Sequence, residues 1–168
     1  MRIPALALVA LLALPAACRG PLSTVYLVRH AEKAPDPGDG DPDLDAQGEA
    51  RAHALADTLA DVPLDALYCT DLKRTRQTLA PLAAARGLEP QPLPAKDVAA
   101  LVARLKAAPA GSVSLVAGHS NTLPEILAAL GADAPEVQHE DYDDLFVLVL
   151  GAERPRLMRL HYGAHHRQ

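Results

Sequence analysis

The stretch that decides the fold is TVYLVRH, residues 24–30, a short apolar run that ends abruptly in two basic residues. Similar apolar runs follow at 66–69 and 112–117, and two more occupy 145–150 and 156–162. Segments with the spacing of amphipathic helices separate the first three runs. Short apolar strands that alternate with helices predict an α/β fold. We expect a three-layer sandwich, in which a mostly parallel mixed sheet carries helices on both faces.

Capping residues set the limits of the predicted helices. Asp45 is expected to cap a helix that runs to about residue 60, and Thr70 or Asp71 is expected to cap the next one. Gly87 suits the left-handed turn at the end of that second helix. The proline-rich stretch 90–94 is predicted to be a linker. Two further helices are expected, one at about 96–107 and one that ends at Leu130.

Composition restricts the classes of function. The 168 residues are 49% hydrophobic, which suits one compact domain. The formal charge is −5, so neither nucleic acid nor anionic lipid is a favoured partner. Four Tyr, one Phe and no Trp offer few surfaces on which bases could stack. The two cysteines exclude a disulfide scaffold and a zinc cluster built on four thiolates.

The first residues have the pattern of an export signal. Arg2 precedes sixteen uncharged residues, 3–18, a run that is too short to span a membrane as a helix. The run ends in LPAAC, which resembles the lipobox of bacterial lipoproteins and would make Cys18 the acylated first residue of the mature protein. We therefore expect residues 1–18 to be a signal peptide or lipoprotein signal. The protein would be exported, either to the periplasm or to the cell envelope as a lipid-anchored protein; a plain cleaved signal is the alternative.

Four polar side chains lie at or just beyond the carboxyl ends of three predicted strands. Arg29 and His30 follow the first strand, Arg74 follows the second and His119 follows the third. The carboxyl ends of parallel strands share one edge of a sheet, where ligands bind. We therefore expect the four side chains to converge on one site.

These residue types suit the transfer of a phosphoryl group. The planar donors of arginine match phosphoryl oxygens, and nearby positive charge lowers the pKa of an imidazole. One of the two histidines would then be neutral and could attack phosphorus, forming a phosphohistidine that water later cleaves. Such a site needs neither a metal ion nor a cofactor, and none is predicted.

Four motifs in this order resemble those of the histidine phosphatase, or phosphoglycerate mutase-like, superfamily. They are LVRHAEK (27–33), LDAQGEARA (44–52), TDLKRTRQT (70–78) and AGHS (117–120). The resemblance is to a short, compact member, whose domain would extend over 22–163 and leave 164–168 as a tail.

The resemblance implies a role for each matching residue. His30 would be the nucleophile that becomes phosphorylated, and Arg29 and Arg74 would bind the phosphoryl oxygens. His119 would bind the same oxygens and stabilise the transition state. The substrate would be a small phosphorylated molecule.

Ser120 and Asn121 follow His119 at a helix start, where backbone donors could also contact phosphate. We count both as candidate substrate-binding residues, although capping of that helix would explain them equally well.

The proton donor cannot be assigned by resemblance. Mutase members carry a glutamate in a longer insert that this chain lacks, and acid phosphatases carry an aspartate where this chain has Ser120. The remaining candidates are Glu32, Glu89, Asp143 and Asp144. A general acid contributes roughly 10²–10⁴-fold to a rate, so its absence favours substrates with good leaving groups, such as phosphoramidates or acidic alcohols.

Three alternatives remain open. A phosphoglycerate mutase-type phosphotransferase would use the same site, and a non-catalytic lipoprotein could retain it only to bind phosphate. An esterase with Ser120 as nucleophile is disfavoured, because GHSNT lacks the second glycine of the nucleophile motif. The loops at 34–43 and 131–144 would set specificity, and we expect the first of them to roof the site. The sequence leaves the substrate and the oligomeric state open.

Overall fold

Within residues 21–151 and 154–165, which the computed structural model describes, six strands form one mixed sheet and four helices pack on it. The predicted signal at 1–18, with Cys18, and the last three residues of the predicted tail lie outside the described residues. The elements in chain order are β1 (Ser23–Arg29), α1 (Ala46–Thr58), β2 (Ala66–Thr70), α2 (Lys73–Arg86), β3 (Pro90–Leu93), α3 (Val98–Ala107), β4 (Val113–Gly118), α4 (Thr122–Ala129), β5 (Asp144–Leu150) and β6 (Arg156–His161).

The strand order is β3-β2-β4-β1-β5-β6. The first four strands in this order are parallel, whereas β5 is antiparallel to β1 and β6 is antiparallel to β5. The carboxyl ends of β1, β2 and β4 therefore share one edge, and β5 begins at that edge. This arrangement confirms the predicted α/β fold with a mostly parallel mixed sheet.

Helices cover both faces of the sheet. Leu55, Leu79 and Leu82 from α1 and α2 join one apolar cluster, while Leu101 and Ile126 from α3 and α4 join another on the opposite face. The first cluster also takes in Cys69, which is buried, and burial raises the pKa of this thiol to about 11. The cysteine is a core residue, as its apolar neighbours in the sequence predict. No helix in the described part of the chain is long and apolar enough to cross a bilayer.

The start of α1 is fixed against the segment that follows β1. The Asp45 carboxylate accepts a hydrogen bond of 2.8 Å from the Gly48 N–H, which confirms the predicted cap. A Cβ atom on Gly48 would lie 2.0 Å from the carbonyl oxygen of Glu32, so only glycine allows this approach. Because Glu32 is two residues beyond His30, the contact sets the path of the backbone next to the candidate nucleophile.

The predicted cap of α2 is wrong. Leu72 is the N-cap and supplies no side-chain hydrogen bond. The donor at the helix start, the Lys73 N–H, is instead satisfied by the carboxylate of Asp41, at 2.9 Å. The loop at 34–43 thus contacts the first turn of α2, through an aspartate that precedes Lys73 by 32 residues in the chain. The predicted end of the helix is confirmed, since Gly87 adopts the left-handed conformation with φ of 63°.

The stretch predicted to be a proline-rich linker contains strand β3, which pairs with β2 at the edge of the sheet. Proline has no N–H to donate, so it is tolerated on an edge strand where its nitrogen faces away from the partner. Pro90 and Pro92 alternate with Gln91 and Leu93, and the Leu93 carbonyl accepts a 2.9 Å hydrogen bond from the N–H of Asp71. The edge position explains how this segment can be a strand.

Candidate active site

The four predicted site residues lie together at the edge where the parallel strands end. Arg29 is the last residue of β1, His30 follows it, His119 follows β4, and Arg74 lies in the first turn of α2. The His30 N–H donates to the Gly118 carbonyl at 2.9 Å, which ties the ends of the two central strands together. The imidazole rings of His30 and His119 are edge to face, with centroids 5.3 Å apart.

The surroundings of His30 determine which ring nitrogen carries the proton. Its Nδ1 lies 2.8 Å from the carbonyl oxygen of Ala31. A carbonyl can only accept, so Nδ1 is the donor and the lone pair of the neutral ring resides on Nε2. Burial lowers the pKa of His30 to about 3, and the positive charges of Arg29 and Arg74 contribute to the shift. His30 is therefore a neutral imidazole at physiological pH.

His119 is held by a chain of hydroxyl groups. Its Nε2 lies 3.2 Å from Thr70 Oγ1, which in turn lies 2.8 Å from Thr75 Oγ1. The Thr75 hydroxyl donates to the Leu72 carbonyl at 2.9 Å, so the chain ends on the backbone. Burial, followed by the charges of the two arginines, lowers the pKa of His119 to about 4. A second neutral imidazole is thus fixed beside the first.

Arg29 is almost completely buried, with 1% of its surface exposed, and its side chain meets backbone carbonyls rather than a carboxylate. Its Nη1 donates to the carbonyls of Gln138 and His139. Its Nη2 donates to the Tyr142 hydroxyl at 3.2 Å, and the guanidinium carbon lies 4.0 Å from the centre of the Tyr142 ring. Burial lowers the pKa of this arginine.

Two guanidinium N–H groups at the site have no acceptor. Within residues 21–151 and 154–165, the Nε atoms of Arg29 and Arg74 are buried and make no hydrogen bond. The nearest carboxylate to Arg74 is that of Asp41, whose Oδ1 lies 3.7 Å from Nη1. Buried donors without partners are unfavourable, and an anionic ligand with several oxygens would satisfy them. The arrangement can bind an oxyanion next to two neutral imidazoles.

Ser120 and Asn121 stand beside His119 at the start of α4. Asn121 is the N-cap residue of this helix, but its side chain makes no capping hydrogen bond. The hydroxyl of Thr122 accepts a hydrogen bond of 3.1 Å from the His119 N–H. The cap position of Asn121 agrees with the alternative explanation, and the role of both residues in substrate binding stays a prediction.

Glu32, one of the four candidate proton donors, forms a buried ion pair. Its Oε1 accepts hydrogen bonds of 2.9 and 2.7 Å from Nε and Nη2 of Arg51. Both residues are buried, and Arg51 also donates to the carbonyls of Tyr162 and Ala164. A carboxylate whose oxygens are occupied by an arginine in this way is not free to donate a proton to a leaving group.

The other three candidates have different surroundings. Glu89 precedes β3 at the end of the sheet opposite His30, because β3 runs parallel to β2 from Pro90 onward. Asp144 accepts hydrogen bonds from Nε and Nη2 of Arg159, which occupy both of its carboxylate oxygens. Asp143 is buried, and its Oδ2 faces the imidazoles of His161 and His165. The geometry favours none of them as the proton donor.

The contacts that cover Arg29 come from the loop at 131–144, which was expected to set specificity but not to reach Arg29. Gln138, His139 and Tyr142 precede β5, an antiparallel strand whose amino end lies at the site. A search of the carboxyl ends of parallel strands does not reach them. One feature of the sequence could have indicated these contacts: the acidic loop directly precedes an apolar run that could pair with β1.

Asp41 belongs to the loop at 34–43 that was expected to roof the site. Its contact with Arg74 places that loop at the edge of the site, and the expectation that the loop roofs the site stays a prediction.

Comparisons with known proteins point to one family. Residues 25–95 match the model of the histidine phosphatase superfamily (branch 1). Phosphoserine phosphatase 1 from Hydrogenobacter thermophilus is 43% identical over 70 residues, which make up 39% of this chain and 33% of that protein. The match therefore covers about a third of the length of this curated relative.

Solved structures extend the similarity over most of the described residues. A protein from Agrobacterium tumefaciens that is provisionally named phosphohistidine phosphatase SixA superposes with a TM-score of 0.61 at 27% identity, covering 84% of this chain and 98% of that one. The alpha-ribazole phosphatase from Shigella flexneri superposes with a TM-score of 0.67 at 18% identity, covering 82% and 96%. At that lower identity the likeness shows the fold alone.

Proposed function

Since the chain belongs to the histidine phosphatase superfamily, we propose that it is a phosphatase that hydrolyses phosphomonoesters or phosphoramidates through a phosphohistidine on His30. The observation that carries the proposal is the pair of unpartnered guanidinium Nε atoms, on Arg29 and Arg74, beside the neutral imidazoles of His30 and His119. The proposed reaction has no step on a metal ion, because the imidazole is the nucleophile and the guanidinium groups supply the positive charge.

In the first step, Nε2 of His30 attacks the phosphorus of the bound substrate. The N–P bond forms with the imidazole lone pair, while the bond from phosphorus to the leaving oxygen or nitrogen breaks and its electrons leave with that atom. The hydrogen bond from Nδ1 to the Ala31 carbonyl orients the ring and stabilises the positive charge that develops on it. Arg29 and Arg74 stabilise the charge on the equatorial oxygens, and His119 joins them when the proton on its Nε2 turns from Thr70 Oγ1 to a phosphoryl oxygen.

In the second step, water attacks the phosphohistidine. The P–N bond breaks, its electrons return to Nε2, and inorganic phosphate leaves with the oxygen of the water. Neutral imidazole is restored, as the lowered pKa of His30 requires. The arginines and His119 stabilise this transition state as they do the first.

The environments of the candidate acids set the class of substrate. Glu32 and Asp144 are paired with Arg51 and Arg159, and Asp41 lies next to Arg74. None of them is arranged as a neutral carboxylic acid beside the leaving group. We therefore infer that the preferred substrates have leaving groups that depart without strong protonation, which are phosphoramidates and esters of acidic alcohols.

The test is to trap the phosphoenzyme. The full chain is mixed with a ³²P-labelled phosphoramidate or aryl phosphate and quenched in alkali. An acid-labile, alkali-stable label on His30 is expected, together with a phosphatase activity that resists chelators and is inhibited by vanadate. His30→Ala should lose both, whereas the control His53→Ala, an exposed position on α1, should keep both. Activity that survives in His30→Ala would contradict the mechanism.

Two other outcomes of the same experiment identify the alternatives. Isomerisation of 3-phosphoglycerate would indicate a mutase-type phosphotransferase. Phosphate binding without turnover on any phosphatase substrate would indicate a binding protein that retains the site.

We also propose that the protein is exported, as the pattern of residues 1–18 predicts. Expression of the full chain with a C-terminal reporter should place the protein in the envelope fraction. Labelling with a palmitate analogue that Cys18→Ser abolishes would identify a lipid anchor, and a soluble periplasmic product without label would identify a cleaved signal. Retention of the full-length chain in the cytoplasm would contradict export.

A further inference from the structure

A second cluster of polar side chains lies where β5 begins and β6 ends. Asp143 directly precedes β5, Asp144 is its first residue, His161 is the last residue of β6, and His165 follows in the chain. Asp144 and His161 are directly opposite each other in the register of the two strands. The backbone ladder therefore fixes two members of the cluster relative to each other.

The cluster is compact enough to share one cation, since one ligand atom from each of Asp143, Asp144 and His161 lies within 4.8 Å of the others. His161 Nδ1 lies 3.4 Å from Asp143 Oδ2 and 3.3 Å from Asp144 Oδ1, and His165 Nδ1 lies 3.3 Å from Asp143 Oδ2. Zinc binds nitrogen and oxygen at about 2.0–2.2 Å, so neighbouring ligands of a tetrahedral zinc site are about 3.3–3.5 Å apart.

Charge also favours a cation. Asp143 is buried, with 5% of its side chain exposed, and the oxygen that it directs into the cluster faces two imidazole nitrogens. A buried carboxylate needs compensating positive charge, and the charge that acts on Asp143 comes from Arg51, whose guanidinium is already paired with Glu32. Asp144 already accepts from Arg159, but each carboxylate oxygen has two lone pairs, so Oδ1 can bind a cation as well.

We propose that Asp143, Asp144, His161 and His165 form a binding site for one divalent transition-metal cation, with Zn²⁺ as the best match. Two imidazoles with two carboxylates suit zinc, whereas Mg²⁺ and Ca²⁺ prefer oxygen ligands throughout. This site is separate from the phosphoryl chemistry at His30. It fastens the end of the described chain to the start of β5, and Asp143 directly follows Tyr142, which packs on Arg29.

The experiment measures binding of ZnCl₂ to the full chain, purified without a polyhistidine tag and carrying Cys18→Ser to remove a competing thiolate. Competition with a chromophoric chelator should give one site per chain. His161→Ala and His165→Ala, both at exposed side chains, should each weaken binding at least about tenfold, since even indirect partners of a metal change affinity by about 10–100-fold. The matched control His53→Ala should bind as the parent does.

Three results would overturn the proposal. They are the absence of a zinc site in the parent chain, an affinity that neither His161→Ala nor His165→Ala lowers, and an equal loss in His53→Ala. The melting temperature of each metal-free variant, compared with that of the metal-free parent, separates loss of a ligand from loss of the fold. Zinc should raise the melting temperature of the parent and of His53→Ala but not that of His161→Ala.

Discussion

Arg29 and Arg51 are almost equally buried, with 1% and 3% of their surfaces exposed, yet their surroundings differ in one respect. Arg51 has a carboxylate, that of Glu32, against two of its nitrogens. Arg29 donates to backbone carbonyls and a phenol hydroxyl, and its Nε has no acceptor within the described residues. Burial lowers the pKa of Arg29, whereas at Arg51 the hydrogen bonds and charge of Glu32 outweigh burial and raise the pKa.

The comparison separates a structural cation from a functional one. A buried arginine whose anion belongs to the same chain contributes to stability, because breaking the pair leaves a buried charge uncompensated. A buried arginine without such an anion is held in place by the rest of the fold and is available to a ligand. Substitution at the two positions should therefore affect different properties.

The largest effect is expected for Arg51→Met. The substitution leaves the Glu32 carboxylate buried without its partner, so the free energy of unfolding should fall by about 3–5 kcal/mol. Urea denaturation measures this loss. Addition of Glu32→Gln should recover a large part of it, and a change below 1 kcal/mol in Arg51→Met would contradict the assignment of the pair.

Arg29→Met should show the opposite pattern. Removal of a donor that stabilises transition-state charge lowers kcat by roughly 10²–10³-fold, which is about 2.7–4 kcal/mol. The free energy of unfolding should fall by less than in Arg51→Met, because hydrogen bonds to the carbonyls of Gln138 and His139 are lost but no buried charge is left behind. Steady-state kinetics and urea denaturation of the same preparation test both parts, and a stability loss as large as that of Arg51→Met would remove the contrast.

The histidines beside Arg29 extend the comparison to pH. Burial lowers the pKa of His30 to about 3 and that of His119 to about 4, below the ordinary value of about 6.5 in the unfolded chain. The unfolded state therefore binds more protons below pH 6.5, and stability is lost as the pH falls from that value toward the folded pKa values. Each histidine should contribute up to about 1.4 kcal/mol per pH unit in this range.

The measurement compares the parent with His30→Asn by urea denaturation between pH 7 and pH 4.5. The parent should lose more stability across this range than the variant, because the variant lacks one of the two groups. Parallel pH dependences would show that His30 is not held neutral by burial.

The smallest effect is expected for Asp41→Asn. This substitution alters the loose ion pair between Asp41 and Arg74, which is weaker than the pair of Arg51 with Glu32. The Asp41 carboxylate lies 3.7 Å from Arg74 and is partly exposed, so the pair contributes less than about 1 kcal/mol. Asparagine retains an oxygen to cap the Lys73 N–H but removes the negative charge. Phosphate should then bind up to about fivefold more tightly, as measured by product inhibition, and weaker binding would show that Asp41 assists the anion.

The fold and the four converging residues were predictable because they depend on local patterns. β1 is a β-branched apolar run, Asp45 has a capping side chain, and Gly87 lies where a helix must stop. The convergence of His30 and His119 follows from the parallel pairing of two strands, which the alternation of strands and helices already implies.

The remaining features depend on contacts between distant segments. The cap of α2 comes from Asp41, and Tyr142 reaches Arg29 from 113 residues further along the chain. The Glu32–Arg51 pair was not predicted, because each residue resembles an ordinary solvated charge on its own. The segment of β3 is predicted to be a linker because it is rich in proline. Pro90 and Pro92 exclude only a central strand, and the edge position of β3 becomes known only from the assembled sheet.

The buried thiol of Cys69 can report how often the folded protein opens. Because the pKa of this thiol is about 11, on the order of one in 10⁴ native molecules carries it as a thiolate at pH 7. Alkylating reagents should therefore modify it only in molecules that have opened. In a Cys18→Ser background, the rate of mass increase on treatment with iodoacetamide would count openings of the sheet without any added dye or denaturant.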